Sequence, residues 1–169
     1  MHFVAALDRK PEMRCVLGLF EGVVTGAADG YARMADKPAA TLLHCGPGMA
    51  NALANMHNAR RARTPMINVV GDHATYHLQH DAPLTSDIES LAEPMSHFVR
   101  RIATPEDVGP AIGEAYVASL TLPGVTTVIL PADCAWGSVE PATLKPTELP
   151  TLKSVDGATI REVAAGLRK

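Results

Sequence analysis

The chain has 169 residues, 47% of them apolar, and a formal net charge of −3, which is enough for one domain with a real core. Basic residues do not outnumber acidic ones, and the one dense basic cluster, Arg60-Arg61 with Arg63, is too short to track a nucleic-acid backbone, so nucleic acid is excluded as a partner. Apolar runs are strand-sized, far below the roughly 20 residues that span a bilayer, and the N-terminus has no signal pattern, so no membrane partner is expected.

Met1 to Leu7 is apolar and helix-like, yet no strand precedes it. A first strand candidate then runs from Arg14 to Leu19 and passes into a helix from about Gly22 to Met34. Ala40 to His44 is the next strand, followed by a helix over Met49 to Arg61 and a nearly continuously apolar strand over Met66 to Val70. Asp72 to Glu93 reads as a long connection with three histidines, and a loop of that length is usually functional. Phe98 to Ile102 and Val125 to Leu130 are the last strands, on either side of a helix over Glu106 to Leu120 that opens with Thr104-Pro105-Glu106-Asp107. Strands alternating with helices predict an α/β, three-layer, doubly wound fold with a mainly parallel sheet and helices on both faces. The sheet is expected to lack its first strand and helix. After Pro131 the composition changes: Pro141 to Pro150 reads as an extended linker and Asp156 to Lys169 as one amphipathic helix, which suggests further attached protein. The expected division is residues 1–140 as a domain incomplete at its N-terminal side and 141–169 as a linker and first helix. Cys15, Cys45 and Cys134 are an odd, scattered set that fits free thiols in a reducing compartment, with the cytoplasm as the expected location.

Ligands in such sheets collect at the carboxyl ends of the strands. Glu21 stands just past one such end, within the apolar run Val16-Leu17-Gly18-Leu19-Phe20-Glu21-Gly22-Val23-Val24. A charge in that setting calls for a partner from outside the chain or a shared proton, unless it only complements the helix dipole and points at water. Gly46-Pro47-Gly48 joins a buried strand to a helix, where glycines let a flat ligand approach the backbone, although the same tripeptide is also an ordinary sharp turn. Its glycine spacing is not a dinucleotide fingerprint, and no Walker-type motif exists. His73, His77, His80 and Asp81 invite a metal reading, but the helical geometry that would align them is not secured, so a polar loop facing a cleft is favoured and no metal ligand is assigned. No Gly-x-Ser-x-Gly elbow supports a serine hydrolase.

Taken together, Phe20-Glu21-Gly22-Val23-Val24-Thr25-Gly26-Ala27-Ala28-Asp29-Gly30-Tyr31-Ala32-Arg33, then Lys37-Pro38, then Gly46-Pro47-Gly48-x-x-Asn51, resemble the pyrimidine-binding domain of thiamine-diphosphate enzymes, closest to the acetolactate synthase and benzoylformate decarboxylase group. The resemblance covers Met1 to about Pro131. It implies that Glu21 is the catalytic carboxyl that bonds N1′ of the aminopyrimidine and promotes its activating tautomer, with Gly46, Pro47, Gly48 and Asn51 beside the ring. It also implies His44 and His73 as groups on the substrate side, and a 2-keto acid as substrate.

The family holds the diphosphate and its Mg2+ on a separate domain with a Gly-Asp-Gly motif, which this sequence does not contain, so only the pyrimidine half of the cofactor is expected here. The implied partners are a diphosphate-binding domain of the same or another chain and a second copy in a homo-oligomer, with the isolated chain inactive. Flavin use is left open, since any flavin site would lie in the central domain. Two alternatives remain at this point: a natural split subunit paired with a diphosphate-domain chain, and a non-catalytic dimer-interface module.

Overall fold

Four parallel strands in the order β1-β2-β4-β3 form the sheet of the computed structural model, which describes residues 2–140, 148–149, 151 and 154–168. The strands are β1 (Ala39–His44), β2 (Met66–Asp72), β3 (Phe98–Arg101) and β4 (Val125–Pro131). Helices α1 (His2–Leu7), α2 (Glu21–Ala35), α3 (Cys45–Ala62), α4 (Ile88–Ala92), α5 (Val108–Thr121), α6 (Ala132–Trp136) and α7 (Gly157–Leu167) complete the described elements. In register, Leu43 of β1 lies beside Val70 of β2, and Val70 beside Ile129 of β4. Every residue of β4 is buried, as expected of a strand covered on both faces.

The period of two along β2 divides the core. Met66 and Val70 pack with Ala28, Met49 and Met56 of α2 and α3, whereas Ile67 and Val69 pack with Ala111 and Ala115 of α5. The α/β three-layer architecture follows, with helices on both faces. Buried polar side chains find one another: the Thr41 hydroxyl donates to Asn68 Oδ1 at 2.6 Å, and the Ser96 and Thr127 hydroxyls share a bond of 2.8 Å.

Helix α2 is pinned to α3 by polar contacts among small residues. Asn55 Nδ2 donates to the Gly22 carbonyl at 2.6 Å, and the buried Thr25 hydroxyl donates to the Ala52 carbonyl of α3 at 3.4 Å. This close approach sets the first turn of α2, and with it Glu21, over the first turn of α3.

Several sequence expectations need correction. Arg14 to Leu19 is not a strand: it is an irregular stretch in which Val16, Leu17 and Leu19 are exposed, and none of the four strands pairs with it. β-propensity alone cannot make a strand without an edge to accept its hydrogen bonds. Helix α3 begins at Cys45 rather than Met49, so Gly46-Pro47-Gly48 is its first turn and not a loop; Pro47 is tolerated there because N–H groups of a first turn have no intrahelical partner. The connection from Asp72 to Glu93 is not structureless, since it carries a 3-10 turn over Thr75–His80 and α4, capped by Asp87. The expected helix at Glu106 splits into a 3-10 turn, Pro105–Asp107, with a Thr104–Asp107 capping box, and α5. The short helix α6 was not anticipated. Most of the expected linker lies outside the described residues; beyond it, Asp156 caps α7 by accepting from the N–H groups of Ala158 and Thr159.

Candidate functional site

The carboxyl ends of β1, β2 and β4 border two adjoining cavities, of about 450 and about 330 Å³, and His44 and Asp72 line both. The larger is walled by Leu19, Phe20, Val24, Leu42 and Leu130, with Glu21 among them. The smaller is walled by Cys45, His73, Tyr76, His77 and Trp136.

Glu21 opens α2 and is half-buried. Its partner is within the chain: Asn51 Nδ2, two turns into α3, donates to Glu21 Oε2 at 3.1 Å. The other oxygen lies over Gly48, where a Cβ would come 3.0 Å from Oε1 and 3.5 Å from the carboxyl carbon. Gly48 thus gives the carboxylate its room, which is a requirement for a small residue and not for a positive φ. The structure therefore brings Glu21, Gly48 and Asn51 together. Gly46 faces elsewhere, with Ser86 Cβ only 2.1 Å from where its own Cβ would stand, and Pro47 is exposed on the outside of the turn.

His44 and His73 fall at the smaller cavity. His44 is the exposed last residue of β1, and both its ring nitrogens are 3.9 Å from Cys45 Sγ. Cys45 itself is buried and takes a left-handed backbone, φ 53°, at the passage from β1 into α3. Burial, and then the neighbouring Asp72 carboxylate, push its thiol above the ordinary range. Cys134 is also a buried free thiol, whereas Cys15 is exposed.

Asp72 ends β2 with a fully buried carboxylate. It accepts from the His73 N–H at 2.8 Å and from Arg101 Nη1 at 2.7 Å, while His73 Nδ1 stands 3.5 Å from the same carboxylate. Arg101, at the end of β3, also forms a two-pronged pair with Glu89 of α4. Hydrogen bonds from Arg101 hold the Glu89 carboxyl below the usual carboxylate range, and those carboxylates hold Arg101 firmly protonated. Cys45, Asp72 and Arg101 were given no site role from the sequence. A charged residue closing a buried strand was the available signal for Asp72; the approach of Arg101 depends on β3 lying two strands away.

The histidine run is folded but not aligned as a ligand set. His73 and His77 stack at 6.0 Å between ring centroids, and His77 tilts against His80 at 5.4 Å, on a 3-10 turn whose geometry does not put residues four apart on one line. The turn is tied to α6 by Asp133, which accepts from the Thr75 N–H at 3.1 Å and the Thr75 hydroxyl at 2.5 Å.

A mainly apolar cavity with the Glu21 carboxylate at its wall can take an aromatic nitrogen heterocycle that turns a ring nitrogen toward that carboxylate. No lysine or arginine among the described residues lines the larger cavity, so none of them offers a diphosphate a cationic partner there. Among the described residues, no helix is long and apolar enough to cross a membrane.

Residues 1–91 match the family described as "Thiamine pyrophosphate enzyme, N-terminal TPP binding domain". The chain is 61% identical over 136 residues to the Mycobacterium tuberculosis protein named "Putative acetolactate synthase large subunit IlvX", covering 80% of this chain and 26% of that one. It is 30% identical over 138 residues to benzoylformate decarboxylase of Pseudomonas aeruginosa, again 80% of this chain and 26% of the other. Among solved structures, the thiamine diphosphate-dependent 4-hydroxybenzoylformate decarboxylase of Rhodococcus jostii RHA1 superimposes with a TM-score of 0.87 at 26% identity, over 98% of this chain and 32% of that one. The chain thus spans about a quarter of the length of the curated relatives it matches.

Proposed function

Because the chain belongs to the thiamine pyrophosphate enzyme family, whose N-terminal TPP binding domain it matches, we propose that it forms the pyrimidine-binding part of an enzyme acting on 2-keto acids. Acetolactate synthase-like and decarboxylase-like chemistry are the two forms this takes among its relatives. The observation that carries the reading is the Glu21 carboxylate at the wall of an apolar cavity, oriented by Asn51 and given room by Gly48. The residues fit the pyrimidine half of thiamine diphosphate; the thiazolium ring of the same cofactor would supply the electron sink for decarboxylation.

Glu21 would hold a proton at the ring nitrogen of the pyrimidine, and the Asn51 amide would keep the carboxylate from turning away. Gly48 would keep the backbone close to the ring, and Gly46 and Pro47 would shape the helical turn that carries it. His44 and His73, at the adjoining cavity, would face the substrate, where imidazoles can donate to a carboxylate or keto oxygen. The diphosphate and its Mg2+ are assigned to a separate diphosphate-binding domain, supplied by the same or another chain, in a homo-oligomeric assembly. The cytoplasm is the compartment proposed.

The test is Glu21→Gln in an assembly of the chain with a diphosphate-binding domain. The amide keeps the shape and cannot take the proton, so turnover should fall by at least about 100-fold, the contribution expected of a positioned acid–base group. Native turnover in the substituted assembly would refute the role given to Glu21.

A further inference from the structure

The smaller cavity holds a donor set in which Cys45 and Asp72 have no part in the proposed function and His73 was given only a place facing the substrate. Cys45 Sγ, a carboxylate oxygen of Asp72 and a ring nitrogen of His73 all lie within 4.8 Å of one another. They come from two neighbouring strand ends: Cys45 follows β1 and Asp72-His73 closes β2, and the parallel register sets His44 beside Gly71. We propose that these three side chains form a binding site for a divalent cation of the zinc class, open on its fourth side to the cavity.

Three observations carry it. The first is an unsatisfied donor atom: His73 Nδ1 is shielded from solvent and has no hydrogen-bond partner, although the ring is mostly buried. A buried imidazole nitrogen normally finds a partner. The second is charge. The buried Asp72 carboxylate and Glu89 share one guanidinium, Arg101, which leaves one negative charge in excess at the strand ends. A dication bound through the Cys45 thiolate would neutralise it: the S–H proton leaves to solvent as the metal–sulfur bond forms, and no oxidation is involved. The third is donor chemistry. One thiolate, one imidazole and one carboxylate match Zn2+ in preference to the hard Mg2+, and three protein donors with an open position are the arrangement of exchangeable sites. His44, with both ring nitrogens 3.9 Å from Sγ, is the nearest further donor. Arg101 already holds Asp72 Oδ2, so it orients the carboxylate and leaves Oδ1 with a free lone pair besides the one on the His73 N–H.

This set differs from the run His73, His77, His80 and Asp81 that the sequence brings to mind: only His73 is shared. It depends on two strand ends meeting rather than on spacing along the chain. The inference stands apart from the role of Glu21, and its readout is binding to the chain alone.

The experiment is titration of the purified reduced 169-residue chain with Co2+, followed by the thiolate-to-cobalt charge-transfer band, then displacement by Zn2+ and challenge with excess Mg2+. We expect a saturable band at one equivalent, bleached by Zn2+ and untouched by Mg2+. Cys45→Ser should abolish the band, Cys15→Ser, at an exposed position outside the cluster, should keep it, and His73→Gln should keep the sulfur band but weaken binding by at least about tenfold. Absence of saturable binding, a band that survives in Cys45→Ser, or undiminished affinity in His73→Gln would each overturn the site. Circular dichroism of each variant identifies any that does not fold, and His73→Gln decides the matter should Cys45→Ser be among them.

Discussion

Gly48→Ala separates the packing of this domain from its chemistry. Gly48 lies in the first turn of α3, not at a positive φ, so the backbone accepts alanine without strain. Helix propensity favours the substitution by up to about 1 kcal/mol. The added methyl meets Glu21 Oε1 at 3.0 Å and the carboxyl and γ carbons at 3.5 Å, and these belong to the far end of a flexible side chain. Displacing that end by a few tenths of an ångström from its rotamer costs about 0.5–1.5 kcal/mol, so the two effects nearly cancel. The melting temperature of the isolated chain should therefore move by no more than about 4 °C in either direction. The carboxylate, in contrast, is pushed off the Asn51 amide, 3.1 Å away, and off the position from which it meets the cofactor ring. A hydrogen bond to a charged group is worth about 1.5–3 kcal/mol, or about 10- to 150-fold, and the half-exposed setting of Glu21 favours the lower part of that range. The assay pairs thermal unfolding of the chain with turnover of the assembly that includes a diphosphate-binding domain. Turnover within about twofold of native would refute the claim that Gly48 gives the carboxylate its place, and a fall in melting temperature beyond about 8 °C would refute the packing account.

Gly46→Ala should behave in the opposite way, because its methyl would stand 2.1 Å from Ser86 Cβ; overpacking of about 1–3 kcal/mol should lower the melting temperature by about 2–12 °C, and adding Ser86→Gly should restore most of the loss. Met56→Ala, at a fully buried position between α2, α3 and the sheet, should cost about 2–5 kcal/mol, read as a shift in the denaturation midpoint with an unchanged slope. Glu89 has a depressed carboxyl pKa, so its contribution is fully present above the ordinary carboxylate pKa of about 4.3 and is lost as pH falls through the lower folded value. Glu89→Gln should therefore flatten the acid limb of the stability–pH curve below about pH 5 and lower stability above it; an unchanged acid limb would show that the Arg101 pair does not carry this titration.

The alternation of apolar strands with amphipathic helices determined the parallel α/β class and four of the strands, because a strand buried on both faces reads as a nearly continuous apolar run, as Ile67-Asn68-Val69-Val70 does. The same reading selected Glu21 as a carboxylate in need of a partner and put it at the start of a helix, although the segment before it is not the strand expected. Local information ended where a second element was required. Arg14 to Leu19 has the side chains of a strand and is not one, since pairing is a property of two edges. Gly46-Pro47-Gly48 has the composition of a turn and is helical, since α3 packs under α2 and starts where β1 ends.

The partners of the functional groups were decided only by the tertiary structure. Glu21 and Asn51 are 30 residues apart, Asp72 and Arg101 are 29, and Thr75 and Asp133 are 58. Glu21 meets Asn51 because α2 packs across α3, and the other two pairs meet because the strand order β1-β2-β4-β3 brings separate carboxyl ends to one side of the sheet. Cys45 shows the difference most plainly: in sequence it is a thiol beside a histidine, and only the parallel pairing of β1 with β2 sets it against Asp72 and His73. Residue type and periodicity act over a few residues and are legible along the chain, whereas charge pairing and cavity formation act through space and follow from the order of the strands.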